Sequence, residues 1–148
     1  MPNADYHTLT ADYPALTESQ RTALLLAARE AQASAYAPYS NFAVGAAVST
    51  GDGSIYRGCN VENASFGLTV CAERVAVFQA VAAGHLDIVA VAVVTSAPKL
   101  CKPCGACRQV IAEFSQSDHP IVILSASETG EPQVETISDL LPDTFTLL

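Results

Sequence analysis

The chain is 148 residues long, 50% hydrophobic and 15% charged, with 15 acidic against 7 basic side chains and a formal net charge of −8. So many apolar residues and so few charges exclude an intrinsically disordered chain. The length fits one domain with a core large enough to do without disulfides. The acidic balance speaks against a nucleic-acid binder, in which Lys and Arg must neutralise phosphates.

Residues 1–16 carry no readable motif and are expected to form a loosely ordered extension ahead of a domain over 17–148. The start has no basic n-region or apolar h-region, so no signal peptide is expected. A helix opens at Thr17, which has capping-box spacing to Gln20, and runs to about Ala35 before Pro38. Strands over Phe42–Ser49 and Ile55–Cys59 flank the turn Gly51-Asp52-Gly53 and predict a hairpin. A second helix spans Cys71–Ala83, with Gly84 as its C-cap. Ile88–Thr95 reads as a strand buried on both faces. A third helix follows Pro103 and runs to about Phe114; strands at Ile121–Leu124 and Gln133–Glu135 and a helical turn at Ser138–Leu141 close the chain. This order predicts an α/β fold in which helices cover a five-stranded mixed sheet. The apolar stretch Val75–Val94 is broken by Gln79, Gly84, His85 and Asp87, so no membrane span is expected. Five cysteines, an odd number, argue against a disulfide framework and for free or metal-bound thiols in the cytoplasm.

The informative cysteines are Cys71, which opens the second helix, and Cys104 and Cys107, three apart at the start of the third. If the two helix N-termini meet, three sulfurs converge where the helix dipoles favour thiolate. Three soft ligands suit zinc, and a ligand count of three leaves a position open, as in catalytic sites. Glu73, two residues past Cys71, is the candidate proton carrier beside that position. Three thiolates around one divalent ion carry excess negative charge. Arg74 and Arg108, each next to a key residue, are expected to offset it by hydrogen bonds to sulfur. Cys101 offers a rival, a closed and inert four-cysteine site, although Pro103 restricts Lys102 to extended geometry and turns Cys101 away. A redox pair at Cys104 and Cys107 would leave Cys71 and Glu73 without a role. Cys59 reads as a buried apolar residue, and His7, His85 and His119 have no metal-ligand spacing.

The blocks Ala37-Pro38-Tyr39-Ser40-Asn41-Phe42-Ala43-Val44-Gly45-Ala46-Ala47, Gly58-Cys59-Asn60-Val61-Glu62-Asn63-Ala64-Ser65, Cys71-Ala72-Glu73-Arg74 and Pro103-Cys104-Gly105-Ala106-Cys107-Arg108-Gln109-Val110 resemble the short, homotetrameric class of cytidine deaminases. The resemblance runs from about Thr17 to the C-terminus. It implies a three-layer α/β sandwich, a catalytic domain over 17–148 and one Zn²⁺ per subunit. It also implies hydrolytic deamination of cytidine and 2′-deoxycytidine in pyrimidine salvage, with Glu73 as the catalytic proton carrier. Cys71, Cys104 and Cys107 correspond to the family's metal ligands. Asn60 and Glu62 match its sugar-binding positions, Phe42 its aromatic wall of the base pocket, and the Ala72 N–H its contact to the pyrimidine O2. Phe145 matches an aromatic that enters a neighbouring subunit's active site, although as a sequence feature it also reads as a core anchor. The expected partners are a small nucleoside and further copies of the chain, with no nucleic acid and no membrane. Phe66 stands where the family commonly has Tyr, and Cys101 lies outside the family pattern. A deaminase of blasticidin-type antibiotics shares the zinc motif, but the Asn60-Val61-Glu62-Asn63 block favours a nucleoside.

Overall fold

The structure, a computed structural model, describes residues 16–147; most of the expected extension, including His7, lies outside the described residues. Leu16, counted with that extension, packs against the core beneath the first helix.

Helix α1 (Glu18–Gln32) begins as expected: Thr17 Oγ1 accepts from Gln20 N at 3.1 Å, and Gln20 Oε1 accepts from Thr17 N at 2.8 Å. Thr17→Ala removes one side of this box and is expected to cost about 1 kcal/mol, read from the denaturant midpoint. The helix stops short of Ala35 because Ser34 N and Ala35 N donate to the Ala31 and Gln32 carbonyls, tightening the chain into a turn before Pro38. Strands β1 (Val44–Thr50) and β2 (Ile55–Cys59) form the hairpin, paired from Gly45↔Cys59 to Ser49↔Ile55. A 3₁₀ turn at Phe66–Leu68 precedes α2 (Ala72–Ala82), and Gly84 beyond it has φ +91°, the left-handed conformation a helix C-terminus favours. Then come β3 (Ile88–Thr95), α3 (Gly105–Ala112), β4 (Val122–Ala126), β5 (Gln133–Thr136) and the single turn α4 (Ile137–Leu140).

The sheet has the order β2-β1-β3-β4-β5. Only β3 and β4 are parallel, since α3 carries the chain across between them; the other pairs are antiparallel. Alternation along β3 shows how both faces are filled. Ala90, Ala92 and Val94 meet Leu24, Ala27 and Ala28 of α1, while Val91 and Val93 meet α2 and α3 on the other side. Small residues face α1 and let it approach closely: a Cβ on Gly45 would lie 2.0 Å from the Ala28 carbonyl oxygen. The fold is therefore an α/β sandwich with the sheet as its middle layer, as the sequence predicts. Boundaries differ from expectation by about two residues, as at β1, which starts at Val44. Among the described residues no helix is long and apolar enough to cross a membrane.

Candidate active site

Helices α2 and α3 lie on the same sheet face with their N-termini together. Cys71 is the N-cap of α2 and Cys104 the N-cap of α3, and Cys107 sits in the first turn of α3. Their sulfurs all lie within 4.8 Å of one another, with Cys71 Sγ and Cys104 Sγ 3.9 Å apart. Cys107 is buried beneath, and Cys104 is exposed. Cys101 stays out of this cluster, its Sγ donating to the Lys99 carbonyl at 3.5 Å. The closed four-cysteine arrangement is thus not formed.

The electrostatics show what the cluster is suited to hold. The Cys71 thiol is brought down to about 5, first by a hydrogen bond from Cys107, then by Arg74 beside it. Cys107 moves the other way, because its proton is held by the Cys71 thiolate and because it is buried next to Glu73. Three sulfurs this close cannot all be thiolates unless a cation joins them. A soft divalent cation such as zinc fits this donor set, held by Cys71, Cys104 and Cys107.

Arg74 Nη2 donates to Cys71 Sγ at 3.6 Å and to the Thr69 carbonyl at 3.4 Å. Arg108 is placed differently from the expectation. Its Nε donates to the Pro103 carbonyl at 2.7 Å and its Nη1 to the Leu140 carbonyl at 2.9 Å, with no bond to sulfur among the described residues. The carbonyl at the end of α4 needs a partner, and Arg108 supplies it while bracing the loop before Cys104.

A cavity of about 320 Å³ opens in front of the cysteines, and Phe42, Asn60, Glu62, Ala72 and Glu73 all line it. Its size lies near the lower end of the range for small-molecule sites. Glu73 is only 5% exposed, and burial pushes its carboxyl above the usual range. Ala72 is the first residue of α2, so its N–H has no intrahelical partner. The side chains expected at the sugar are already partly engaged. Asn60 Oδ1 accepts from Val44 N at 2.9 Å, and its Nδ2 donates to the Phe42 carbonyl at 2.7 Å. The amide retains one N–H and one lone pair. Glu62 Oε2 accepts from Tyr39 N at 2.8 Å and Ser40 N at 3.3 Å, and Oε1 accepts from the Ser40 hydroxyl. These bonds, Ser40's hydroxyl foremost, hold the Glu62 carboxyl below its usual range and so keep it an acceptor.

Phe145 lies outside this cavity and is 68% exposed, which removes the core-anchor reading; its carbonyl accepts from Gln109 Nε2 at 3.1 Å. Phe66, 76% exposed, meets Tyr39 edge-on at 6.0 Å. Cys59 is half-buried rather than fully buried, its thiol donating to the Ser34 carbonyl. His85 sits near Asp52 and Asp87, and His119 near Asp118, both away from the cysteines. Sequence reasoning missed Ser40, which grips Glu62 and also accepts from Phe42 N at 3.0 Å. The available signal was the turn-forming pair Ser40-Asn41 after Pro38, and Asn41 does take a left-handed φ of 58°. It also missed Lys102, which lines the cavity.

Comparison with known proteins agrees with this geometry. The family described as "Cytidine and deoxycytidylate deaminase zinc-binding region" matches residues 18–123. A cytidine deaminase of Halalkalibacterium halodurans is 48% identical over 126 residues, 85% of this chain and 94% of that protein. A cytidine deaminase of Mycobacterium tuberculosis is 43% identical, over 81% of this chain and 85% of its own length. Among solved structures, the cytidine deaminase of Burkholderia pseudomallei superposes with a TM-score of 0.78 at 48% identity, covering 84% of this chain and 98% of that one. The chain belongs to the cytidine and deoxycytidylate deaminase family.

Proposed function

We propose that this chain catalyses zinc-dependent hydrolytic deamination of cytidine and 2′-deoxycytidine to the uridines and ammonia, in cytoplasmic pyrimidine salvage. The observation that carries this reading is the buried carboxyl of Glu73, set in one cavity with Cys71 and Cys104 of the three-cysteine cluster and with Asn60 and Glu62 among its other walls. One zinc per subunit, held by Cys71, Cys104 and Cys107, supplies Lewis acidity that brings the pKa of water toward about 7. Glu73 takes a proton from the attacking water and delivers it to ring N3. It then takes the remaining proton of that former water from the hydroxyl at C4 and gives it to the amino group, which leaves as ammonia as the C4–N bond breaks and C4=O forms, so one side chain is base and acid in turn. Burial suits it to both tasks, because a carboxyl above its usual range gives up and regains its proton more evenly near neutrality. The Ala72 N–H, at the positive end of α2, donates to the pyrimidine O2. Phe42 walls the base. The spare N–H of Asn60 and the ionised Glu62 take the ribose hydroxyls. Arg74 offsets the excess charge of the sulfurs.

The reading extends to assembly. Phe66, Leu68 and Phe145 are each more than half exposed and apolar, which suits a surface covered by other copies of the chain. In a homotetramer, Phe145 enters a neighbouring site and stacks on the base.

The test is a side-by-side assay of cytidine, 2′-deoxycytidine, cytosine, adenosine and blasticidin S, with zinc quantified in the same preparation. Turnover of the two cytosine nucleosides at one zinc per chain is expected. Turnover of blasticidin S alone, or none at full zinc loading, overturns the proposal.

A further inference from the structure

We propose that the ion pair between Lys102 and Glu135 is a positioning device: it ties the loop ahead of Cys104 to the edge strand and so sets that sulfur against Cys71 and Cys107. The inference rests on the reading of the three cysteines as metal ligands. Lys102 lines the cavity, and its Nζ lies 2.5 Å from Glu135 Oε1. Glu135 is fixed by the β4–β5 ladder, opposite Ile123. Exposed ion pairs hold little, because water competes and the long side chains lose freedom. This pair is one-sided: the Lys102 side chain is 36% exposed, whereas its partner carboxylate is not. The Glu135 side chain is only 9% exposed, and its Oε2 is buried with no hydrogen-bond partner among the described residues. A carboxylate so placed is costly to leave without a cation, which favours the ammonium staying at Oε1.

The tether reaches Cys104 through a stiff link. Residues 96–104 join β3 to α3 without regular structure, so nothing periodic holds Cys104. Pro103, between Lys102 and Cys104, is fully buried and has a fixed φ, so a shift at Lys102 passes to Cys104. Arg108 adds a second tie in the same direction by bridging the Pro103 and Leu140 carbonyls. The unit β5–α4 thereby serves as the anvil on which the ligand loop is set. Lys102 and Glu135 act through Cys104 and not on the reacting atoms.

The experiment is a double-mutant cycle on zinc release. Zinc-loaded parent, Lys102→Met, Glu135→Gln and the double variant are mixed with a chromogenic chelator, and the rate of zinc transfer is followed. Each single variant is expected to release zinc about tenfold faster, the scale on which groups behind metal ligands act. The double variant is expected to release it no faster than the singles, because both remove the same tie. Glu135→Gln keeps the side-chain shape and leaves no buried charge, so it reports even if Lys102→Met folds poorly. Leu24→Ala, a core truncation on the α1 face, is expected to lower stability without changing release, which separates positioning from general loosening. Single variants with the parent's release rate, a double variant whose effect is the product of the singles, or Leu24→Ala releasing zinc equally fast overturns the inference. A parent that binds no zinc removes the metal reading itself.

Discussion

Glu73→Gln is expected to leave the chain folded and zinc-loaded while lowering turnover of cytidine by about 10²–10⁴-fold, the range that general acid–base groups contribute. The amide matches the carboxyl in shape, and Glu73 is not one of the three clustered sulfur donors, so metal content should be unchanged. The amide cannot accept a proton from water or return one to the leaving amine. The decrease in cytidine absorbance measures the loss, and a variant within about tenfold of the parent rate counts against Glu73 as proton carrier. Stability provides a second readout with a defined sign. In the metal-free chain, burial raises the Glu73 carboxyl above its ordinary 4.5, so the folded state holds a proton that the unfolded state releases. The group therefore detracts from stability as pH rises above about 4.5, until the folded carboxyl itself ionises. Metal-free Glu73→Gln should melt no lower than the metal-free parent, with an advantage that grows from acid toward neutral pH.

Gly58→Ala is the substitution expected to harm fold and site together. A Cβ at Gly58 would lie 2.4 Å from Ala76 N and 2.5 Å from the Ala72 carbonyl oxygen, both rigid backbone atoms of α2. The helix would have to lift off β2, at a cost of about 1–3 kcal/mol in overpacking. The displaced helix is the one that begins with Cys71, Ala72 and Glu73. Reduced turnover should therefore accompany the lower melting temperature, even at temperatures where the variant remains folded. Gly67→Ala is the matching control, because a Cβ there meets nothing within 4 Å. Equal melting temperatures for the two variants would show that α2 has room the structure denies it.

The parts of the molecule legible in sequence were those set by local rules. The Thr17–Gln20 cap, the hairpin turn and the Ala/Val alternation of β3 each follow from a few neighbouring residues. The cysteine cluster was legible for a similar reason: a three-residue spacing and two helix starts leave little choice once the helices pack side by side. Contacts between distant segments were less accessible. Asn60 and Glu62 read as sugar-facing groups, yet much of their bonding capacity fixes the backbone at Phe42–Val44 and Tyr39–Ser40. Arg108 was expected at sulfur, but a carbonyl 32 residues away at Leu140 takes it. Lys102 and Glu135, 33 apart, share no periodicity that could announce them. For Arg108 and Lys102 the partner is decided by the sheet order, which brings β5 and α4 beside the loop before α3; for Asn60 and Glu62 it is decided by the β1–β2 pairing, which sets the end of β2 against the start of β1.

Both ligand helices start with a cysteine at the N-cap, where Ser, Thr, Asp or Asn would ordinarily bond the first free amides, and neither sulfur makes that bond. Two helix starts thus lack a side-chain cap, and their sulfurs turn toward one another instead. The starts of α2 and α3 are held instead by longer ties, Arg74 to the Thr69 carbonyl and Arg108 to the Pro103 and Leu140 carbonyls, and a cation gripped by the sulfurs would add to them. Occupancy of such a site and order of the surrounding chain would then be one cooperative event, because a cation held by all three sulfurs would join two helices that lack side-chain caps.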